Sequence, residues 1–403
     1  MPEATVSAIP VQPIGARPRL DSIDVLRGLV MVIMAIDHTR DFLSHDLMYF
    51  HAVDLTKTHG ALFLTRWITH FCASVFCFLA GTGAFLSFRR GKTKGELAQF
   101  LLTRGLWLVL LEITIVQFGW MFHFELPNGG GVIWALGWSM VALAALIYLP
   151  LWAVATFGLV MIAGHNLLDP ITPEAFGSFS WLWKVLHVPA PIRLGPHWEF
   201  FTAYPLVPWI GVMAAGYAFG AIVKLDPPQR RKWLLWLGLG LTAAFVLIRG
   251  ANVYGDPDPW SVQRSSLFTV LSFINCHKYP PSLLYLLMTL GPALMFLRIT
   301  DRDLGKYWRP FIVFGRVPLF YYLLHLYLIH AIALLISYAM HGGPAGLFYG
   351  PVDDFASKYP ADYGFGLVGI YSVWLLVILL LYPLCRWWAE LKQRRRDVWL
   401  SYL

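Results

Sequence analysis

An all-α polytopic membrane protein with about ten transmembrane helices and both termini in the cytoplasm is what the sequence predicts, on three observations. Hydrophobic residues make up 58% of the 403 positions and charged residues only 13%, about half the charged share of soluble domains. Apolar stretches long enough to cross a bilayer recur from one end of the chain to the other. Lysine and arginine crowd alternate connections, as cytoplasmic loops do.

The first expected span, 24–43, lies in RLDSIDVLRGLVMVIMAIDHTRD (Arg19 to Asp41), with Asp24 and Arg27 at its entry and Asp37, His38, Arg40 and Asp41 at its exit. A charge at bilayer depth costs ~2.5 kcal/mol or more, so such residues face protein or a wet cavity and mark function. On one helix, Arg27 and His38 project within ~20° of each other and ~16 Å apart along the axis. Further spans are expected at 62–88, 98–118, 131–149, 151–167, 202–223, 233–250, 280–298, 310–338 and 366–387. The weakest divisions are Pro150, between two nearly continuous spans, and 265–279, which reads as an interfacial helix or part of a span.

With the N-terminus inside, the inner segments collect Arg89, Arg90, Lys92, Lys94, Lys224, Arg230, Arg231, Lys232, Arg298, Arg302, Lys306, Arg309, Arg386 and Lys392. This bias sets an even number of spans. The domain expectation is therefore a cytoplasmic tail at 1–20, a single membrane domain at 21–388 and a basic cytoplasmic tail at 389–403. No apolar run precedes the first span, so it also serves as the targeting signal. The outer loops 168–201, 251–279 and 339–365 are longer and rich in Pro, Gly, Trp and His, which points to recognition on that side.

Composition also excludes. The formal charge of +8 sits in loops without interleaved aromatics, so no nucleic acid partner is expected. Cys72, Cys77, Cys276 and Cys385 show neither a disulfide framework nor zinc spacing. His325 and His330 are five apart, diverge by ~140° on a helix, and cannot share a metal.

None of the thirteen histidines falls in a predicted inner loop. By helical rise, His38 lies ~21 Å from Asp24, His325 ~24 Å from Arg309 and His70 ~12 Å below the outer start of its helix, all in the middle-to-outer bilayer. Each is either a histidine bonded between helices or a cavity residue. Asp37 and Asp41 share a helix face; a carboxylate within reach fixes an imidazole's tautomer and raises its basicity. The alternative is that Asp37, Arg40 and Asp41 form a salt-bridge cluster at the helix end. Arg66, Thr69, His70, Ser74, Cys77 and Gly81 make a small, polar stripe, part of which is expected to be helix packing. Arg104 and Glu112, within one span, are expected to have structural partners across helices. NCHKYPPS sets His277 and Lys278 just outside the eighth span, and Arg27 and Arg316 near the cytoplasmic face suit either an anionic ligand or snorkelling.

The opening RLDSIDVLRGLVMVIMAIDHTRDF, followed by LFLTRWITHFCASVFCFLAGTGAFL, TRGLWLVLLEIT, YPLVPWIGVMAAGYAFG, NVYGDPDPW, KYPPSLLYLLMTLGPAL and FGRVPLFYYLLHLYLIH, resembles the membrane acyltransferase family typified by heparan-α-glucosaminide N-acetyltransferase, in its bacterial branch. The resemblance implies transfer of an acetyl or other acyl group from cytoplasmic acyl-CoA to an amine or hydroxyl of a saccharide or cell-envelope acceptor on the outer side of an inner membrane. It places the important histidine shortly after the first helix, preceded by an asparagine whose place Asp37 takes here, so that His45, His51 or His59 could each correspond.

The expected catalytic set is His38, His70, Asp37, Asp41 and Arg40, with His38 or His70 as base and Arg40, Lys278 or a backbone amide as oxyanion donor. The expected acyl-CoA set is Arg27, Asp24, Arg316 and His325, and the acceptor set His277, Lys278 and His59. Acetyl-CoA or another acyl-CoA is the expected co-substrate, with no metal or haem, and a homodimer is left open. Two competing readings are a proton-coupled transporter using the same Asp and His residues as a relay, and a cytochrome with His38, His70 or His325 as axial ligands, which lacks the paired-histidine spacing of a haem core.

Overall fold

The computed structural model describes residues 20–89, 91–124, 129–195, 198–348, 359–395, 397, 400 and 402. In chain order the first half comprises α1 (Asp21–Leu43), α2 (Gly60–Ile68), α3 (Phe71–Phe88) and α4 (Lys94–Leu111), which runs through a π-helical stretch at Glu112–Val116 into α5 (Gln117–Met121). Then follow α6 (Val132–Leu146), α7 (Leu151–Gly164), α8 (Ser180–Leu186) and a hairpin of β1 (Pro191–Arg193) and β2 (Glu199–Phe201). The second half comprises α9 (Leu206–Val223), α10 (Pro227–Ala251), α11 (Ser266–Ile274), α12 (Leu283–Thr300), α13 (Arg309–Arg316), α14 (Pro318–His341) and α15 (Leu367–Arg394).

Among the described residues, eight helical segments are long and apolar enough to cross a membrane. The 23-residue α1 carries too many charges for that count and α6 has 15 residues; with these two, each of the ten expected spans contains a helix. Pro150 separates α6 from α7 by capping α7 in an extended conformation, because a proline lacks the N–H to continue a helix. The ambiguous 265–279 region is the short helix α11, capped by the Ser265 side chain on Phe268 N–H. The expected boundary at 388 falls inside α15, which continues to Arg394; of the N-terminal tail only Leu20 is described.

Hydrogen bonds between connections sort the bundle into two ends. At one end Phe365 N–H donates to Leu43 (2.7 Å), Asn275 Nδ2 to Val53 (3.3 Å), Gly130 N–H to Phe201 (2.9 Å) and Leu283 N–H to Asn166 Oδ1 (2.9 Å). These join the longer loops. At the other, Lys94 Nζ donates to Tyr148 (3.1 Å), Arg230 pairs with Asp301 (2.7 Å) and Arg316 with Asp21 (3.2 Å). This second end carries the basic residues of the short connections.

The charged helix α1 is interior. Sixteen of its 23 residues are buried, and it packs against α3, α12, α13, α14 and α15. Without a hydrophobic drive between helices in lipid, close contact relies on small residues. A Cβ on Gly28 would lie 1.8 Å from the Phe311 carbonyl oxygen, and one on Gly315 1.8 Å from that of Asp24. Backbone cannot yield that distance cheaply, so Gly315→Ala is expected to prevent α1 and α13 from docking; loss of the monodisperse peak in detergent size-exclusion chromatography is the measurement.

Candidate functional site

At the loop-rich end, residues of α1, α2 and the α11–α12 connection surround a cavity of about 650 Å³ lined by Asp37, Arg40, Asp41, Arg66, His70, Trp120, His277, Lys278 and Tyr279, among others. That volume is in the range of small-molecule sites. Four of the lining residues are brought together by charge. The Asp37 carboxylate receives Arg40 Nη2 at 2.8 Å on one oxygen and Arg66 Nη1 on the other, with Lys278 Nζ at 4.0 Å. Arg40 also reaches Asp41 at 3.4 Å. Of the two readings open for this helix end, the structure holds the salt-bridge cluster: Asp37 orients cations rather than His38.

The stripe of the second span divides at a break in the helix. Thr69 and His70 form the turn between α2 and α3. Above it, Arg66 and His70 face the cavity; the His70 Nδ1 lies 3.1 Å from the Arg66 carbonyl oxygen. A carbonyl only accepts, so Nδ1 carries the proton and Nε2 presents a lone pair. Below it, Cys77 donates to the Trp209 carbonyl, and a Cβ on Gly81 would meet the Met213 carbonyl oxygen at 2.0 Å. That half is packing against α9.

The Lys278 and Tyr279 side chains are placed by a buried arginine. Arg249 at the end of α10 is 1% exposed and donates to the carbonyls of Ser272, Phe273, Asn275 and Asp258. Each is an acceptor that the end of α11 or the loop would otherwise leave bare. Asp256 accepts from His277 N–H (2.9 Å) and Ser282 Oγ (2.6 Å), and Ser282 in turn caps α12 on Tyr285 N–H. Burial pushes the Asp256 carboxyl above its usual range. His277 bonds Asp258 (2.9 Å) and the Tyr279 carbonyl (2.8 Å), which fixes the chain leading into the cavity.

His38 meets a partner that its sequence neighbours do not announce. Its Nδ1 lies 2.8 Å from His325 Nε2, and His325 Nδ1 lies 2.9 Å from the Tyr321 carbonyl oxygen. The network assigns the tautomers in sequence: His325 donates from Nδ1 to the carbonyl, so its Nε2 accepts, so His38 donates from Nδ1. His38 Nε2 is left as a lone pair. The two rings are nearly coplanar, 15° apart with centroids 4.9 Å from each other, and Trp120, a cavity-lining residue, stands edge-on to His38 at 5.1 Å. His330, by contrast, lies between Phe42 and Phe122 with Nδ1 on the Gly119 carbonyl.

The residues expected to hold acyl-CoA do not all meet. Arg27, Asp24 and Arg316 cluster at the basic end, with Arg27 on Asp24 (3.2 Å) and on the Gly315 carbonyl (3.1 Å), and Arg316 Nε 3.5 Å from Asp24. His325 stands apart from them against His38. Of the acceptor set, His277 and Lys278 line the cavity, whereas His59 is exposed and caps α2 on Leu62 N–H (3.4 Å). Of the loop histidines, His51 lines the cavity and His45 bonds the Tyr363 carbonyl. Glu112 accepts the N–H groups of Ile133 and Trp134 at the start of α6, which is the structural role expected of it; Arg104 lies over Phe100 at 6.0 Å. The cysteines are free and buried, and among the described residues no cluster of metal-ligating side chains forms.

Sequence reasoning passed over Tyr279 and Trp120. Tyr279 adjoins Lys278 in the same motif, and that adjacency was the available signal; Trp120 lies on α5, directly after the π-helical stretch.

Comparison with known families adds one result. The family model described as heparan-alpha-glucosaminide N-acetyltransferase, catalytic, matches residues 19–251, more than half of the chain, from α1 through α10. Asp37, His38, Arg40, Arg66 and His70 fall inside the match; Lys278, Tyr279 and His325 follow it. No curated protein matches the chain. The chain belongs to the heparan-alpha-glucosaminide N-acetyltransferase catalytic family, a membrane acetyltransferase type.

Proposed function

From that membership we propose that the chain moves an acetyl or other acyl group from cytoplasmic acyl-CoA to an amine or hydroxyl of a saccharide or cell-envelope acceptor on the far side of a cytoplasmic membrane. Both termini and the basic end face the cytoplasm in this reading, as the distribution of lysine and arginine supports. Acyl-CoA then approaches Arg27 and Arg316, whose guanidinium groups suit its phosphates, and the acceptor enters the cavity at the opposite end.

The observation that carries the proposal is the His38–His325 pair. The Tyr321 carbonyl sets both tautomers and leaves His38 Nε2 as a proton acceptor at the end of α1 nearest the cavity. The acceptor reaches it past Trp120. As the acceptor nitrogen or oxygen bonds to the thioester carbon, its proton passes to His38 Nε2; the carbon–sulfur bond then breaks and the CoA thiolate leaves, to be protonated to the free thiol. Direct transfer in a ternary complex requires no covalent enzyme intermediate. His70, with its own Nε2 lone pair in the cavity, orients the acceptor hydroxyl or amine by accepting a hydrogen bond.

The test is free-thiol release by purified protein given acetyl-CoA and a panel of amino sugars and glycans. Acceptor-dependent CoA release is expected. Solute flux in proteoliposomes without any CoA consumption is the contrary result, and would favour the transporter reading. Arg27→Ala is expected to raise the KM for acyl-CoA with kcat unchanged, because it removes binding shared by ground and transition states; steady-state kinetics at varied acyl-CoA checks this.

A further inference from the structure

We infer that Tyr279 is a catalytic residue of this site, its phenolic O–H donating to the thioester carbonyl oxygen as that oxygen becomes an oxyanion. The inference rests on the acyl-transfer reading above and adds a residue to it.

Arg66 Nη2 donates to the Tyr279 phenolic oxygen at 3.4 Å, and Tyr204 O–H donates to the same oxygen at 3.5 Å. Both lone pairs of that oxygen are thus spent on donors. The single hydrogen that Tyr279 itself carries is left for the cavity, which its side chain lines. A hydroxyl that accepts from a cation becomes a stronger donor, because successive hydrogen bonds polarise one another. Such a donor, fixed before the reaction, is what a developing oxyanion requires.

The groups facing the phenol are Lys278 beside it, Arg66 on α2, Asp37 on α1, Tyr204 ahead of α9 and Tyr285 on α12. Burial pushes the phenol up, but Lys278 and Arg66 outweigh it and bring it down to about 8. The Asp37 carboxylate opposes the two cations and prevents a larger fall. The tyrosine is therefore acidic enough to donate strongly, yet still protonated at neutral pH. In the reaction its proton is not transferred: it bonds to the oxyanion while the nucleophile–carbon bond forms, and is released when the carbonyl reforms and the carbon–sulfur bond breaks.

Ionisation of the phenol would remove the donor, so wild-type kcat is expected to fall above about pH 8. Tyr279→Phe is expected to lower kcat by about 10²-fold, the effect of losing one oxyanion donor, and to abolish that alkaline limb. Unchanged acyl-CoA binding would show that the variant is folded. Independently, the difference in absorbance at the phenolate band between wild type and Tyr279→Phe should titrate near the same pH. Wild-type turnover matched by Tyr279→Phe with the alkaline limb intact would overturn the assignment alone, as would a Tyr279 phenol that ionises like a free tyrosine. Absence of turnover by the wild type would overturn the acyl-transfer reading and the assignment with it.

Discussion

His38→Ala lowers acyl transfer by about 10²- to 10⁴-fold, the contribution of a positioned general base, and leaves acyl-CoA affinity unchanged. The affinity is spared because Arg27 and Arg316 lie at the opposite end of α1 from His38. His325 separates two explanations of such a loss. A leucine at 325 cannot accept from His38 Nδ1–H and frees the ring to rotate or change tautomer; a glutamine offers an amide oxygen in its place. His325→Gln should therefore retain more activity than His325→Leu, measured as single-turnover rates at saturating acyl-CoA. Equal and full activity in His38→Ala would move the base to His70, the other lone pair of the site.

Asp37→Ala destabilises the fold by about 3–5 kcal/mol, the cost of removing one partner from a buried ion pair. Asp37 is the carboxylate on which Arg40, Arg66 and Lys278 converge, and its side chain is 13% exposed. Its loss leaves three cations facing one another across α1, α2 and the α11–α12 connection. Adding Lys278→Met to Asp37→Ala removes one of the three and should recover part of the loss. Thermal unfolding in detergent, followed by intrinsic tryptophan fluorescence, measures both. If Asp37→Ala unfolds at the wild-type temperature, the cluster does not hold these elements together.

The membrane architecture was legible because lipid imposes it. Hydropathy and basic connections located a helix at each expected position, and the charges on α1 correctly marked a helix that must sit inside the bundle. Of the candidate residues picked from the sequence, Asp37, Arg40, His70 and Lys278 line one cavity, and His38 lies at the same end of the bundle. What sequence could not show is pairing across helices. Spacing along α1 put Asp37 next to His38 and suggested a carboxylate–imidazole unit, but successive residues on a helix point about 100° apart. Asp37 faces α2 and His38 faces α14, so each finds a partner far away in the chain. Tyr279 was hidden for a related reason, since its role depends on Arg66 and Tyr204, distant residues that the fold alone brings to one oxygen.

Vectorial transfer in proteoliposomes tests the central claim most directly. Protein is reconstituted with acetyl-CoA on the side of the basic end and an amino-sugar panel on the other, and free CoA thiol and acylated sugar are followed in their separate compartments. The account predicts thiol on the acetyl-CoA side and acylated product on the acceptor side in matching amounts, both lost in His38→Ala. Acylated product that forms only when donor and acceptor share a compartment, or none with any acceptor, would contradict it.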